Sequence, residues 1–251
     1  MTKVSWIISA VSDIGLQRRE NQDSYYISPD EKVLVVADGM GGAANGAEAS
    51  QAAIHAVEEA WKKQAPDTAD AESTKAWLQT AVVGANRSIM RLTHTSTSDP
   101  AQRPGSTIVV AVQSDDGVMR IAHVGDSRAY LVRNGQARSV TEDHSVVMDM
   151  VKRGQLNEEQ AFTNVYRNLL TRCLGHDADV EIEQTEVEVH AGDWALLCSD
   201  GLNGVMRDGE IADVVKASES PAQACNVLVE NVLSRKAPDN VTIIALHYGA
   251  N

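Results

Sequence analysis

Four aspartates in this chain stand at or just past the ends of apolar runs, each beside a glycine, serine or asparagine. They are Asp38 in VLVVADGMGG, Asp126 in HVGDSR, Asp200 in LLCSDGL and Asp239 in DNVTIIAL. A carboxylate at the tip of a buried strand is costly unless it is paired or binds a cation. An oxygen-only donor set, with no histidine, cysteine or glutamate in the pattern, suits Mg2+ or Mn2+ and disfavours zinc. Two such ions about 3.5–4 Å apart can share one carboxylate and activate a water near neutral pH. Asp38 is the natural bridge between them. Gly39, which has no side chain in the way, can offer its backbone carbonyl. Any one stretch reads equally well as a strand and a solvated turn; the recurrence argues for one shared site.

The elements that must position these acids are legible as alternating and helical patterns. Val4–Ser12, Ser24–Ser28 and Val33–Ala37 read as strands, with short connections that suggest antiparallel pairing among them. Helices are expected over Gly46–Gln64 and Glu72–Leu92, and a polar loop over Thr93–Gly105. Thr107–Gln113 and Val118–Val124 read as a hairpin, as do Arg128–Arg133 and Gln136–Val140 around Asn134-Gly135. Short helices over Glu142–Arg153 and Asn157–Phe162, strands over Val180–Val189 and Trp194–Ser199, helices over Asp208–Lys216 and Pro221–Leu233, and a closing strand over Val241–His247 complete the chain. Antiparallel strand runs separated by helix pairs predict an α+β layered fold.

Composition narrows the partners. The 251 residues carry a net charge of −13, which argues against nucleic acid and anionic membrane. No apolar run reaches the ~18 residues of a membrane span, and the N-terminus reads as a strand and not as a signal peptide. Cys173, Cys198 and Cys225 lack metal-ligand spacing and read as reduced core thiols of a cytoplasmic protein. Cys198, two residues before Asp200, falls on the same strand face and could also line the site. His55 is expected on the apolar side of its helix, with His123 and His144 structural.

The chain resembles the metal-dependent protein serine/threonine phosphatases of type 2C in their compact bacterial form. The resemblance rests on GLQRRENQDS (Gly15–Ser24), VVADGMGG (Val35–Gly42), GST (Gly105–Thr107), AHVGDSRAYL (Ala122–Leu131), TEDHS (Thr141–Ser145), NLLTRCLG (Asn168–Gly175), LLCSDGL (Leu196–Leu202) and DNVT (Asp239–Thr242). These come in the family's order and span nearly the whole length. The resemblance implies one domain over residues 1–251. Its fold is a four-layer αββα sandwich of two mainly antiparallel sheets flanked by helix pairs, with a flap subdomain at about 145–175. It implies hydrolysis of phosphoserine and phosphothreonine on proteins by a water bridging two tightly bound Mg2+ or Mn2+ ions. In those roles Asp38 bridges, the Gly39 carbonyl holds the second ion, and Asp200 and Asp239 complete the first. Asp126 with Asp200 holds a third, weaker ion, and Asp23 orients water. Arg18 grips the substrate phosphate with Asn240 beside it. The expected partners are substrates of a serine/threonine kinase, and the expected state is a cytoplasmic monomer.

Two departures stand out. Where many bacterial members carry DGMGGH, with a histidine proposed as general acid, this chain has Ala43. Where many flaps carry His-Pro, it has Asn164-Val165. A phosphohydrolase with an aspartyl nucleophile would need a second aspartate at Met40, and a nuclease would need a basic groove. A non-catalytic phosphoprotein-binding module of the same fold is the alternative, but such modules usually lose metal aspartates that this chain keeps.

Overall fold

A computed structural model describes residues 4–41, 45–96 and 103–250. Gly42 and Ala43 therefore lie outside the described residues, as does the centre of the Thr93–Gly105 loop.

The strands form two antiparallel sheets. One joins β1 (Val4–Asp13), β11 (Val241–Ala250), β10 (Trp194–Cys198), β7 (Arg128–Arg133) and β8 (Gln136–Ser139) in that order. The other joins β2 (Asp23–Ile27), β3 (Val33–Met40), β5 (Ile108–Gln113), β6 (Val118–Val124) and β9 (Glu183–Glu188), with β4 (Gly105–Ser106) on the end of β3. Both hairpins are present: β5 pairs β6, and β7 pairs β8 around Asn134-Gly135. The expectation that the first three strands pair together is corrected. β1 pairs β11 along all ten residues, so the first and last strands lie side by side in one sheet while β2 starts the other.

Three separate buried clusters define four layers. α1 (Asn45–Lys63) and α2 (Ala71–Ser96) pack Ala53, Val57, Trp61 and Leu78 onto Val35 and Val110 of one sheet. Trp61 and Trp77 meet edge to face at 5.2 Å and close the outer end of that cluster. α6 (Asp208–Ala217) and α7 (Pro221–Ser234) pack Ile211, Leu228 and Val232 onto Leu196 and Ile243 of the other. Between the sheets, Leu34, Val36, Ile121, Leu131, Leu197 and Ile244 interdigitate. β3, β5 and β10 are buried on both faces, which is why they read as continuous apolar runs and not as alternations.

Other boundaries moved for identifiable reasons. β3 continues through Asp38 and Gly39 to Met40 because Gly39 and Met40 pair with Ser106 and Gly105. The helix expected from Glu142 begins at Val146 (α3, Val146–Lys152), where Ser145 accepts from the Met148 N–H as N-cap. α4 (Glu158–Phe162) starts after a capping box made by Asn157 and Gln160. A four-residue helix, α5 (Asp200–Asn203), follows β10 without any apolar periodicity to announce it. His55 is exposed beside Glu58 and is not on the apolar face of α1.

Candidate active site

Strand register brings the first acids together. Asp23 opens β2 directly opposite Asp38 on β3. The Asp38 peptide is tied down on both sides. Its N–H donates to Thr107 Oγ1 at 3.1 Å, and its carbonyl accepts from the Thr107 N–H at 2.8 Å and the Ser106 hydroxyl at 3.0 Å. Thr107 Oγ1 in turn meets Ser127 Oγ at 2.6 Å, next to Asp126. The GST stretch therefore ties the Asp38 peptide to the side chain of the residue after Asp126, a role the sequence reading did not assign to it.

Gly39 is glycine because α1 lies on top of it. A Cβ there would fall 1.9 Å from the Gly46 carbonyl oxygen. Gly201 is under the same constraint, since a Cβ would stand 1.9 Å from the Asn240 carbonyl oxygen. That close approach holds Asp200, at the start of α5, beside the Asp239-Asn240 turn.

The carboxyls perturb one another. Burial pushes Asp38 well above the usual range, and the charges of Asp23, Asp200, Asp126 and Asp239 add to it. Burial raises Asp126 in the same way, reinforced by Asp200 and Asp143. Asp23 is pushed up to about 7, mainly by burial, against hydrogen bonds from Ser199 and Thr242. Asp200 is pushed up to about 6 by burial and by Asp239, while a hydrogen bond with Asp38 and the charges of Arg18 and Arg167 work the other way. Oδ1 of Asp23 and Oδ1 of Asp200 are buried with no hydrogen-bond partner. Mutually repelling, oxygen-only acids with two orphaned buried oxygens fit hard divalent cations.

Ser199, which the sequence reading passed over, donates its hydroxyl to Asp23 Oδ2 at 2.6 Å and accepts the Thr242 N–H at 3.0 Å. Its position immediately before Asp200 was the available signal. Arg18 is half-exposed and its guanidinium rests on Asp239 Oδ2, so in this arrangement it pairs with an acid of the cluster. Asn240 follows Asp239 directly, and its side chain bonds the loop that precedes β2. Its Nδ2 donates to Ile14 O and Glu20 O, at 2.9 and 3.0 Å, and its Oδ1 accepts the Gln22 N–H at 2.8 Å. The amide thus holds the loop that carries Arg18. Cys198 is fully buried among Leu202, Met206 and Ile243, and burial pushes its thiol up to about 12. It is a core residue and does not line the site.

Among the described residues, the one group with three metal-type ligand atoms within 4.8 Å of one another is not the aspartates but His123, His144 and Glu183. Its geometry suits a tether and not a cation. His144 Nδ1 accepts the Gly125 N–H at 3.1 Å, so the ring proton sits on Nε2, toward Glu183 at 3.3 Å. Arg172 stands 3.2 Å from the same nitrogen. The two imidazoles stack at 4.7 Å with planes 16° apart, so their lone pairs run side by side without converging. The His144 N–H also donates to Gly125 O at 3.0 Å, and its carbonyl accepts from Thr171 at 2.8 Å. His144 therefore clamps both polar groups of the residue before Asp126.

A cavity of about 600 Å³ opens beside the acids, reaching Asp126 and Asp200 at one side and walled by α3, α4 and the start of α6.

The chain is similar to known proteins along most of its length. The family model described as protein phosphatase 2C matches residues 17–235. A serine/threonine phosphatase, stp, of Listeria welshimeri is 32% identical over 236 residues, 93% of this chain and 92% of that protein. The serine/threonine protein phosphatase PstP of Mycobacterium tuberculosis is 34% identical over 97% of this chain, which spans 46% of that longer protein. Among solved structures, the S. agalactiae serine/threonine phosphatase superposes with a TM-score of 0.87 at 29% identity, covering 97% of this chain and 99% of that one. The catalytic domain of PstP in complex with two manganese ions superposes at 0.84 and 32% identity, covering 98% and 99%. With the layered fold, the ordered motifs and a family match over most of its length, the chain belongs to the protein phosphatase 2C family.

Proposed function

We propose that this chain hydrolyses phosphoserine and phosphothreonine monoesters on proteins, using divalent cations held by the aspartate cluster. The observation that carries the reading is the pair of orphaned buried oxygens on Asp23 and Asp200 within a set of acids that raise one another's pKa. Asp38, the Gly39 carbonyl, Asp200 and Asp239 would hold two ions, and Asp126 with Asp200 a third, weaker one. Mg2+ and Mn2+ both satisfy the donor set, and two manganese ions in the PstP domain support the choice of class. When bound, such ions supply positive charge to the phosphoryl group and acidify water.

The chain's own residues divide the remaining work. Asp23, with its hydroxyl partner Ser199 fixing one oxygen, keeps the other free to orient a water. Arg18 exchanges Asp239 for the substrate phosphate, where its planar fork can bind two oxygens at once. Asn240 holds the Arg18 loop. The segment at about 145–175, with α3 and α4, acts as a flap over the neighbouring cavity.

A cytoplasmic, monomeric enzyme opposing a serine/threonine kinase is the setting we assign. Among the described residues no helix is long and apolar enough to cross a membrane. Protein stripped with EDTA should lose hydrolysis of phosphothreonine peptides and regain it with Mn2+ or Mg2+. Full activity in chelator would sink this reading.

A further inference from the structure

The cavity beside the acids has a composition that the phosphoryl chemistry does not require. Val147, Met148, Val151, Phe162 and Met206 give it apolar walls. Its charged lining, apart from Asp126 and Asp200, consists of Glu142, Asp143, Glu158, Glu159 and Asp208 against Arg128, Arg167 and Arg207. Most of these charges are already matched. Arg128 forms a two-pronged pair with Asp143, both contacts 2.7 Å. Arg207 binds Glu159 at 2.6 Å while lying 3.5 Å above the Phe162 ring. Glu142 pairs with Lys152. Arg167 donates to the carbonyls of Phe162 and Gly204, and its charge bears on Asp200 at the site end of the cavity.

Two carboxylates remain short of cations. Glu158, exposed in the first turn of α4, has no ion-pair partner among the described residues. Asp208 is 48% exposed, receives the Tyr130 hydroxyl at 3.1 Å and has only Arg128, 3.9 Å away, as a distant cation. The cavity is therefore a partly apolar slot that reaches the acid cluster at Asp126 and Asp200 and carries unmatched negative charge at exposed positions. A lysine or arginine side chain has the matching form, about three or four methylenes ending in a cation.

We propose that this cavity is a specificity subsite for a long basic side chain flanking the phosphorylated residue of the substrate protein. The inference rests on the phosphatase reading and deepens it to a substrate class: phosphoserine or phosphothreonine with lysine or arginine nearby. A residue two to four positions away in an extended peptide stands roughly 7–14 Å from the phosphorylated one, which sets the positions to scan. The stem packs against Met148, Val151 and Phe162, and the cation meets Glu158 and Asp208.

The test uses the full chain with Mn2+ and phosphothreonine peptides carrying arginine, norleucine or glutamate at each position from −4 to +4. Norleucine supplies the stem without the charge. At one or two positions the arginine peptide should have the highest kcat/KM, by roughly fivefold over norleucine, the scale of one or two partly exposed ion pairs. The double variant Glu158→Gln/Asp208→Asn should lose that advantage through KM. The control Glu219→Gln/Glu230→Gln removes two exposed acids of the α7 region and corrects for attraction by the overall charge of −13. It should keep the advantage. All forms should hydrolyse p-nitrophenyl phosphate equally, because that substrate carries no cation for Glu158 and Asp208 to meet. Arginine no better than norleucine at any position, an advantage that survives the double variant, or equal loss in the control would each overturn the subsite. No hydrolysis of p-nitrophenyl phosphate by the unmodified protein would overturn the phosphatase reading itself, and the subsite with it.

Discussion

At Asp23 burial and hydrogen bonding pull in opposite directions. Burial is the larger effect, and it lifts the carboxyl from 3.8 to about 7 although Ser199 and Thr242 stabilise its charged form. Between those two pH values the folded, metal-free chain holds a proton that the unfolded chain has released. The stability that proton brings is fully present below 3.8 and is lost as pH rises through about 7. Asp23→Asn cannot lose it. Metal-free Asp23→Asn should therefore gain on the unmodified protein between about pH 4 and pH 7, by at most ~1.4 kcal/mol per pH unit. Urea midpoints of both proteins in EDTA across that range provide the check. Parallel curves would mean that Asp23 is charged in the folded chain throughout. The residue types that do chemistry were readable because acids at strand tips are expensive and recur for a reason. What their side chains touch was not. Asn240 and Arg18 are polar groups with several possible partners, and only the folded loop decides among them.

Among the elements, the turn between β6 and β7 is held from outside by His144. The clamp takes both the N–H and the C=O of Gly125 and binds Thr171 at the base of the segment carrying α3 and α4. His144→Leu leaves a buried N–H without an acceptor, which should cost about 1–3 kcal/mol. In His144→Asn the amide oxygen lies near the place of Nδ1 and should recover part of that loss. Denaturant midpoints of the two variants measure the difference, and equal losses would assign the effect to packing on His123 instead. The strands and long helices were legible because their apolar patterns are strong. Element ends were less so. Ser145 and Asn157 act as caps through side-chain bonds that no hydrophobic period reveals. α5 is too short to have a period at all. β1 was assigned to the wrong neighbour because sequence adjacency favours β2, whereas its partner lies more than 200 residues away.

At the scale of the whole molecule, the candidate site sits where the two sheets end together. Asp23 and Asp38 come from one, and Asp200 and Asp239 from the end of β10 and the start of β11 in the other. β11 is also an inner strand, flanked by β1 on one side and β10 on the other. β11 is therefore inserted between a strand made more than 200 residues earlier and the strand that precedes it in the chain. On a ribosome, the acids on β2 and β3 emerge long before their counterparts, and the constellation stays incomplete until Asp239 has been translated and β11 has slotted into its gap. Activity is thus a late reporter of folding. Pairings so distant in sequence are slow to form. Trp194 stacks on His247 at 4.4 Å across the β10–β11 pair, so its emission marks the moment of insertion. In refolding with Mn2+, using a chain whose other three tryptophans are phenylalanine, catalytic activity should return together with or after the Trp194 signal. A nascent or truncated chain lacking β11 would be silent toward every phosphorylated protein around it.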